Sequence, residues 1–240
     1  VNPKIVELME LIAKAQRDLG AEFRLRGFIK AELFTDPQAE AMYKAGFRWI
    51  LVGFESGHER ILTNIQKKAS QADNTRAMDI ARRHNLKVKA LMSVGHPGES
   101  EETVRATRDW LLEVKPADFD ATVITTYPGT PYFDEALETK PGVWTYTYAK
   151  TGDRLHSIEV DYREVAEYYK GVPGEYTSYV YTDHLSAKEL VQQRDLLEAD
   201  VRAKPYNAGA PAVRSEHSLG QGVLPANIFR STVTAGLKAV

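Results

Sequence analysis

Along the first half of the chain, apolar and polar positions fall into a repeating strand–helix pattern. Asn2 followed by Pro3 reads as an N-cap and a first helical residue, and Ile5, Leu8, Met9, Leu11 and Ile12 then recur at helical spacing. Residues 23–29 (FRLRGFI) read as a strand, and Asp36-Pro37 opens a helix that runs through Met42 and ends near Gly46. Residues 48–54 (RWILVGF) form the unbroken apolar run of a buried parallel strand. One helix follows through Ile61, Leu62 and Ile65, and another from about Asn74 to His84, closed by Asn85. Residues 86–94 (LKVKALMSV) predict a third strand. Ser100 caps a helix to about Glu113, with Glu101 and Glu102 at the positive end of its dipole. Residues 119–126 (FDATVITT) predict a fourth strand. Such alternation implies an α/β fold with parallel strands.

Four strands of this kind do not close a barrel, and open parallel edges are avoided in folded proteins. Either residues after 140 complete the sheet or further strands precede Val1. The chain opens at the very start of a helix, which favours the second expectation. After about Leu137 the pattern changes. Residues 143–149 (VWTYTYA) look β-rich, 161–170 a short helix, and Ser186 with Glu189 forms a capping box before a helix over 187–203. From Pro205 onward Gly, Ala, Ser and Pro dominate, which predicts a loosely packed or disordered tail over 205–240.

Composition narrows the function classes. Lys and Arg total 31 against 33 Asp and Glu, a balance without the basic footprint of a nucleic-acid or anionic-lipid binder. No apolar run approaches the roughly 20 residues of a membrane span, and the charged amphipathic start does not read as a signal peptide, so a cytoplasmic location is expected. There is no cysteine, so this chain offers no disulfide, thiolate metal site or cysteine-held iron–sulfur cluster.

Candidate chemistry gathers after the strands. Gly53-Phe54-Glu55-Ser56-Gly57 follows the strongest one, where parallel α/β sheets carry their sites, and a carboxylate with a hydroxyl there suits a polar ligand such as a ribose. Gly95-His96-Pro97-Gly98-Glu99-Ser100 follows the next, with glycines that let backbone approach a ligand. Tyr127-Pro128-Gly129-Thr130-Pro131 ends the fourth. Each alone is explained as well by a turn; three at the same strand ends argue for a ligand face. Lys67 and Lys68 can meet an anion or simply complement a helix C-terminus. A lone His96 is more often structural than catalytic, and Asp118 and Asp120 lie at a strand entrance, away from chemistry.

Taken in order, Ala45 to Ile50, Gly53 to Gly57, Ile61-Leu62, Ile65, Lys67-Lys68, the G-x-P-G-E core at Gly95 to Glu99 and the Y-P-G-T-P loop at Tyr127 to Pro131 resemble radical S-adenosylmethionine (radical SAM) enzymes over roughly residues 1–137. They are most similar to the branch whose members often carry a cobalamin-binding domain upstream; 170–202 bears a softer likeness to its C-terminal extension. The resemblance implies a partial (β/α) TIM-type barrel over 1–140, its last four strands, then an extension with helices over 141–204. It implies SAM and a 4Fe–4S cluster as cofactors, with cobalamin as a further one, and an upstream part of the same polypeptide as partner. That part would hold the C-x-x-x-C-x-x-C loop and a glycine-rich segment, both missing here. In the family the cluster reductively cleaves SAM to start radical chemistry. Carried over, Glu55 faces the SAM ribose with Ser56 beside it, Lys67 lies near the SAM carboxylate, and the backbone of Ser93, Gly95, Pro97 and Gly98 lies beside the adenine. Phe28 departs from the pattern, standing where relatives place an acidic ribose contact; Glu32 is the nearby substitute. Arg26, His96 and Tyr127 are candidates to face a substrate.

The expected function is therefore the C-terminal fragment of a radical SAM enzyme acting on an unidentified substrate, inactive without the upstream cysteines. Two alternatives stand beside it: a degenerate barrel serving as a non-catalytic binding or scaffold module, and a metal-independent barrel enzyme with Glu55 as acid/base.

Overall fold

A computed structural model describes residues 4–160 and 177–203. The Asn2-Pro3 cap, the helix expected over 161–170 and the tail over 205–240 lie outside these residues. The first helix, α1 (Ile5–Leu19), ends at Gly20 in the left-handed conformation. Strand β1 (Leu25–Ile29) leads through a short 3-10 turn to α2 (Asp36–Lys44), which Thr35 and Gln38 close with a capping box. Strand β2 (Phe47–Glu55), helices α3 (Glu59–Asn64) and α4 (Gln71–Arg83), strand β3 (Lys87–Val94), helix α5 (Glu101–Val114) and strand β4 (Asp118–Val123) follow. The four strands form one parallel sheet in the order β1-β2-β3-β4, as the alternating pattern predicts. The sheet is open among the described residues: a four-stranded part of a (β/α) TIM-type barrel.

Alternation along the strands sets the layers. Ile50, Val52 and Phe54 of β2 and Val88, Ala90, Met92 and Val94 of β3 are buried, and Phe54 meets Trp110 of α5 edge-on at 5.1 Å. Strand β4 ends three residues before the apolar run does. Ile124 still donates to the Val94 carbonyl before the chain turns into the Tyr127-Pro128 loop.

The extension is built differently from a single β-rich stretch. A short helix, α6 (Pro131–Asp134), leads into a second, antiparallel sheet of β5 (Leu137–Lys140), β6 (Val143–Thr147), β7 (Arg154–Ile158) and β8 (Val180–Thr182), in that order. Helix α7 (Ala187–Arg202) starts at the foreseen Ser186–Glu189 capping box and returns to the first sheet. There Arg194 Nε donates to the Ala121 carbonyl at 2.8 Å and Arg202 Nη2 to the Phe119 carbonyl at 2.6 Å, so two guanidinium groups occupy the free edge of β4. Around them Lys89 and Arg202 share Asp118 and Asp120, and Arg202 and Arg194 share Glu198, so an ion-pair chain runs from sheet to helix. The acidic pair at the entrance of β4 is thus taken up by structure. No described helix is long and apolar enough to cross a membrane.

Candidate active site at the strand tips

Parallel strands present their unpaired carboxyl ends together, and this is where the polar side chains of the first sheet collect. Strand β2 ends in a bulge: its register with β3 shifts between Gly53 and Glu55, and Glu55 sits at φ 66°, the left-handed region that a non-glycine residue enters at a cost of about 1–2 kcal/mol. The cost is offset by what it aims. Glu55 Oε1 lies 3.2 Å from Lys67 Nζ, and Glu55 Oε2 accepts from Ser93 Oγ of β3 at 2.8 Å. Lys67 Nζ also donates to the Gly53 carbonyl at 2.5 Å. A Cβ at Gly53 would stand 2.5 Å from Glu55 Oε1, so a side chain there would push the carboxylate out of this position.

The network continues along the loop after β3. Ser93 Oγ lies 2.7 Å from His96 Nε2, and His96 Nδ1 lies 3.2 Å from the Tyr132 hydroxyl of α6. Because Ser93 gives its proton to Glu55, it accepts from His96 Nε2–H, which leaves Nδ1 to accept from Tyr132. Burial drives His96 down to about 4, with Glu55 opposing and Lys67 assisting, so the imidazole is neutral at pH 7. Burial likewise pushes the Tyr132 phenol far above its ordinary value. At the end of the loop Glu99 is enclosed, its Oε2 accepting from the Gly95 amide at 3.2 Å and its Oε1 from the Thr103 hydroxyl. Burial raises its carboxyl to about 7, against the lowering effect of those bonds.

Of the expected site residues, Glu55, Lys67 and Ser93 come together, with the Gly95, Pro97 and Gly98 backbone in the adjoining loop. Ser56 does not join them. Once Glu55 has turned left-handed, the next side chain points into the helix layer, where Ser56 Oγ meets Thr107 Oγ1 at 3.1 Å and accepts the His58 amide. His96 is a buried link rather than an open group, 7% exposed. Phe28 is solvent-facing on β1, and Glu32 lies in the 3-10 turn with Oε2 buried and without a hydrogen-bond partner. Arg26 is exposed on β1, and Tyr127 is half-exposed in its loop. Sequence reading missed Asn64, Tyr132 and Asp153. The first ends a helix, the second follows the Y-P-G-T-P loop and the third sits in a hairpin turn, so only Tyr132 had a motif beside it.

The Glu55 carboxylate thus stands at the tips of an open parallel sheet, next to a glycine-bearing loop, the end at which (β/α) folds carry their ligand sites. Residues 1–111, just under half of the chain, match the model of the Radical SAM superfamily. The bacteriochlorophyllide d C-12(1)-methyltransferase of Chlorobaculum tepidum is 27% identical over 136 residues, 56% of this chain and 29% of that protein. An uncharacterized methyltransferase of Pyrococcus horikoshii is 30% identical over 110 residues, 45% of this chain and 24% of that protein. The chain thus spans less than a third of the curated relatives it matches. The structure of the radical S-adenosylmethionine methyltransferase TsrM from Kitasatospora setae, with cobalamin and a 4Fe–4S cluster bound, aligns at TM-score 0.55 and 20% identity, over 83% of this chain and 40% of that one. This second likeness shows the fold. Members of the family use SAM and a 4Fe–4S cluster.

The residues present fit one of these groups and not the other. An adenosyl nucleoside needs acceptors for its ribose hydroxyls and close backbone for its base. The Glu55 side chain is 30% exposed with lone pairs beyond those Lys67 and Ser93 use, and the loop from Gly95 to Gly98 has glycine at φ 100° and 81°. A 4Fe–4S cluster needs thiolates, and the 240 residues contain no cysteine.

Proposed function

We propose that the tips of β2 and β3 form one wall of a SAM site in a radical SAM catalytic barrel, and that polypeptide outside these 240 residues contributes the cluster and its cysteines. The observation that carries this reading is the Glu55 carboxylate, held in left-handed backbone between Lys67 and Ser93 where the strands end. Bound SAM supplies the radical chemistry of the family. The residues of this chain bind and orient. Glu55 accepts the ribose hydroxyls, Lys67 balances its charge and stands toward the SAM carboxylate, and the backbone of Ser93 to Gly98 borders the adenine. Two matched relatives are named as methyltransferases, which favours methyl transfer as the reaction class. The matched shares of those proteins, 29% and 24%, support reading the chain as part of a longer enzyme.

Calorimetric titration with SAM of the polypeptide extended upstream, with its cluster in place, tests the site. Glu55→Gln keeps the side-chain length and loses the charge, so it is expected to weaken binding about tenfold, the loss of a hydrogen bond to a charged group. Wild-type protein indifferent to SAM, or equal binding by the variant, overturns the assignment. Anaerobic iron–sulfide reconstitution of the polypeptide extended upstream tests the enzyme reading, with cluster absorbance and 5′-deoxyadenosine expected. The cysteine-free sequence favours one second reading, a non-catalytic SAM-binding module. An extended polypeptide that folds and binds SAM but lacks the cysteine triplet would establish it.

A further inference from the structure

The loop after β3 is held by residues that lie far along the chain. His96 is met by the Tyr132 hydroxyl at 3.2 Å, and the Glu99 carbonyl accepts from Thr182 Oγ1 of β8 at 2.8 Å. Between them, Asn64 Nδ2 donates to the Pro97 carbonyl at 2.7 Å and to Asp153 Oδ2 at 2.7 Å. Gly98 packs so closely here that a Cβ would stand 2.7 Å from Asp153 Oδ2 and 2.9 Å from Asn64 Nδ2.

Asp153 is built for this place. It closes the turn between β6 and β7, where its amide meets Thr151 Oγ1 and its carbonyl accepts from the Tyr148 amide at 2.8 Å. Its carboxylate is buried, and Arg60 of α3 grips both oxygens, Nε at 2.9 Å from Oδ2 and Nη2 on Oδ1. Two-point pairing of this kind fixes direction as well as charge. Thr151 Oγ1 donates to Asn64 Oδ1 at 3.1 Å, which leaves the Asn64 amide only one orientation, nitrogen toward Pro97 and Asp153. The hairpin tip therefore dictates where the Pro97 carbonyl and the Gly98 backbone lie.

We propose that the second sheet is the positioning element of this loop, with Asp153 as its positioning residue, so that the affinity of the strand-tip site for an adenosyl nucleoside is set from the second sheet. This rests on the SAM reading given above. The adenine-side wall is then a joint product of two sheets, and the barrel strands alone do not carry a finished site.

The polypeptide extended upstream is titrated with SAM as wild type, as Asp153→Asn and as Glu138→Gln, with exchange of the Gly98 and Glu99 amides followed in parallel. Glu138 accepts the Gly142 amide at the β5–β6 turn, at the opposite edge of the second sheet from β8, and controls for general loosening. Asp153→Asn is expected to weaken SAM binding about tenfold and to speed exchange of the Glu99 amide, which bonds the His96 carbonyl, while Glu138→Gln leaves both unchanged. Should Asp153→Asn fail to fold, Arg60→Gln, at a half-exposed side chain, is read instead with about threefold weakening. Wild-type binding matched by the Asp153→Asn or Arg60→Gln variant overturns this inference alone. Equal weakening by Glu138→Gln also overturns it, by showing a general loss of structure. No binding by the wild type overturns the SAM reading and this inference with it.

Discussion

Replacing Lys89 with methionine is expected to lower the unfolding free energy by about 3–5 kcal/mol, the cost of leaving a buried carboxylate without its partner. Lys89 and Asp118 are 1% and 0% exposed in their side chains and pair at 3.1 Å, with Asp120 2.8 Å from the same nitrogen. Methionine matches the stem of lysine and removes only the charge. Arg202, at 3.4 Å, is then the remaining cation on Asp118, and it is shared with Glu198 at 3.2 Å. Urea denaturation at pH 7 measures the loss. The double variant Lys89→Met, Asp118→Asn is expected to recover much of it, because neither charge then remains stranded. Additive losses in that cycle would show that the two side chains do not interact.

Glu99→Gln is expected to stabilise the protein at pH 8 by about 3 kcal/mol, since moving a carboxyl from its ordinary value to about 7 costs that much once it is ionised. The sign follows from proton counts. Between its ordinary range and pH 7 the folded protein keeps the Glu99 proton while the unfolded chain releases it, so this group favours folding at low pH and opposes it as pH rises. His96 works in the other direction. Its folded value of about 4 lies below 6.5, so acidification through that interval protonates the unfolded chain first and removes stability. The two slopes cancel over much of the range from pH 4.5 to 6.5. Wild-type stability is expected to be nearly level there and to fall toward pH 7, whereas Glu99→Gln shows the uncancelled rise contributed by His96. Denaturation midpoints at half-unit steps from pH 4 to 8.5 check this. A variant profile parallel to that of the wild type would show that Glu99 is already ionised in the fold.

The parallel sheet could be read from residues because its inner strands are local apolar runs and several helices carry their own caps. Ser100, Ser186 and Glu189 cap as their spacing predicts. The second sheet was less visible. Leu137–Lys140 has every residue exposed, and Val180–Thr182 is three residues long, so neither has the buried alternation that marks a strand. Both exist through pairing with β6 and β7, which is tertiary information. The same divide runs through the site. Glu55, Lys67 and Ser93 could be named from motifs near the strand ends, and the fold brings their side chains together. Ser56 was misplaced because the bulge and the left-handed turn at Glu55 reverse the next side chain, and no composition rule registers a positive φ at glutamate. Asp153 was invisible because its role depends on Arg60 and Asn64, about ninety residues earlier.

The arginines on β4 give the parallel sheet two unlike borders. On that side the outward carbonyls are already satisfied by guanidinium groups, and an incoming strand would have to displace them. On the other side β1 pairs only with β2 among the described residues, leaving its outer row of amides and carbonyls for one added strand. Growth of this parallel sheet is thereby one-directional among the described residues, open beside β1 and closed beside β4.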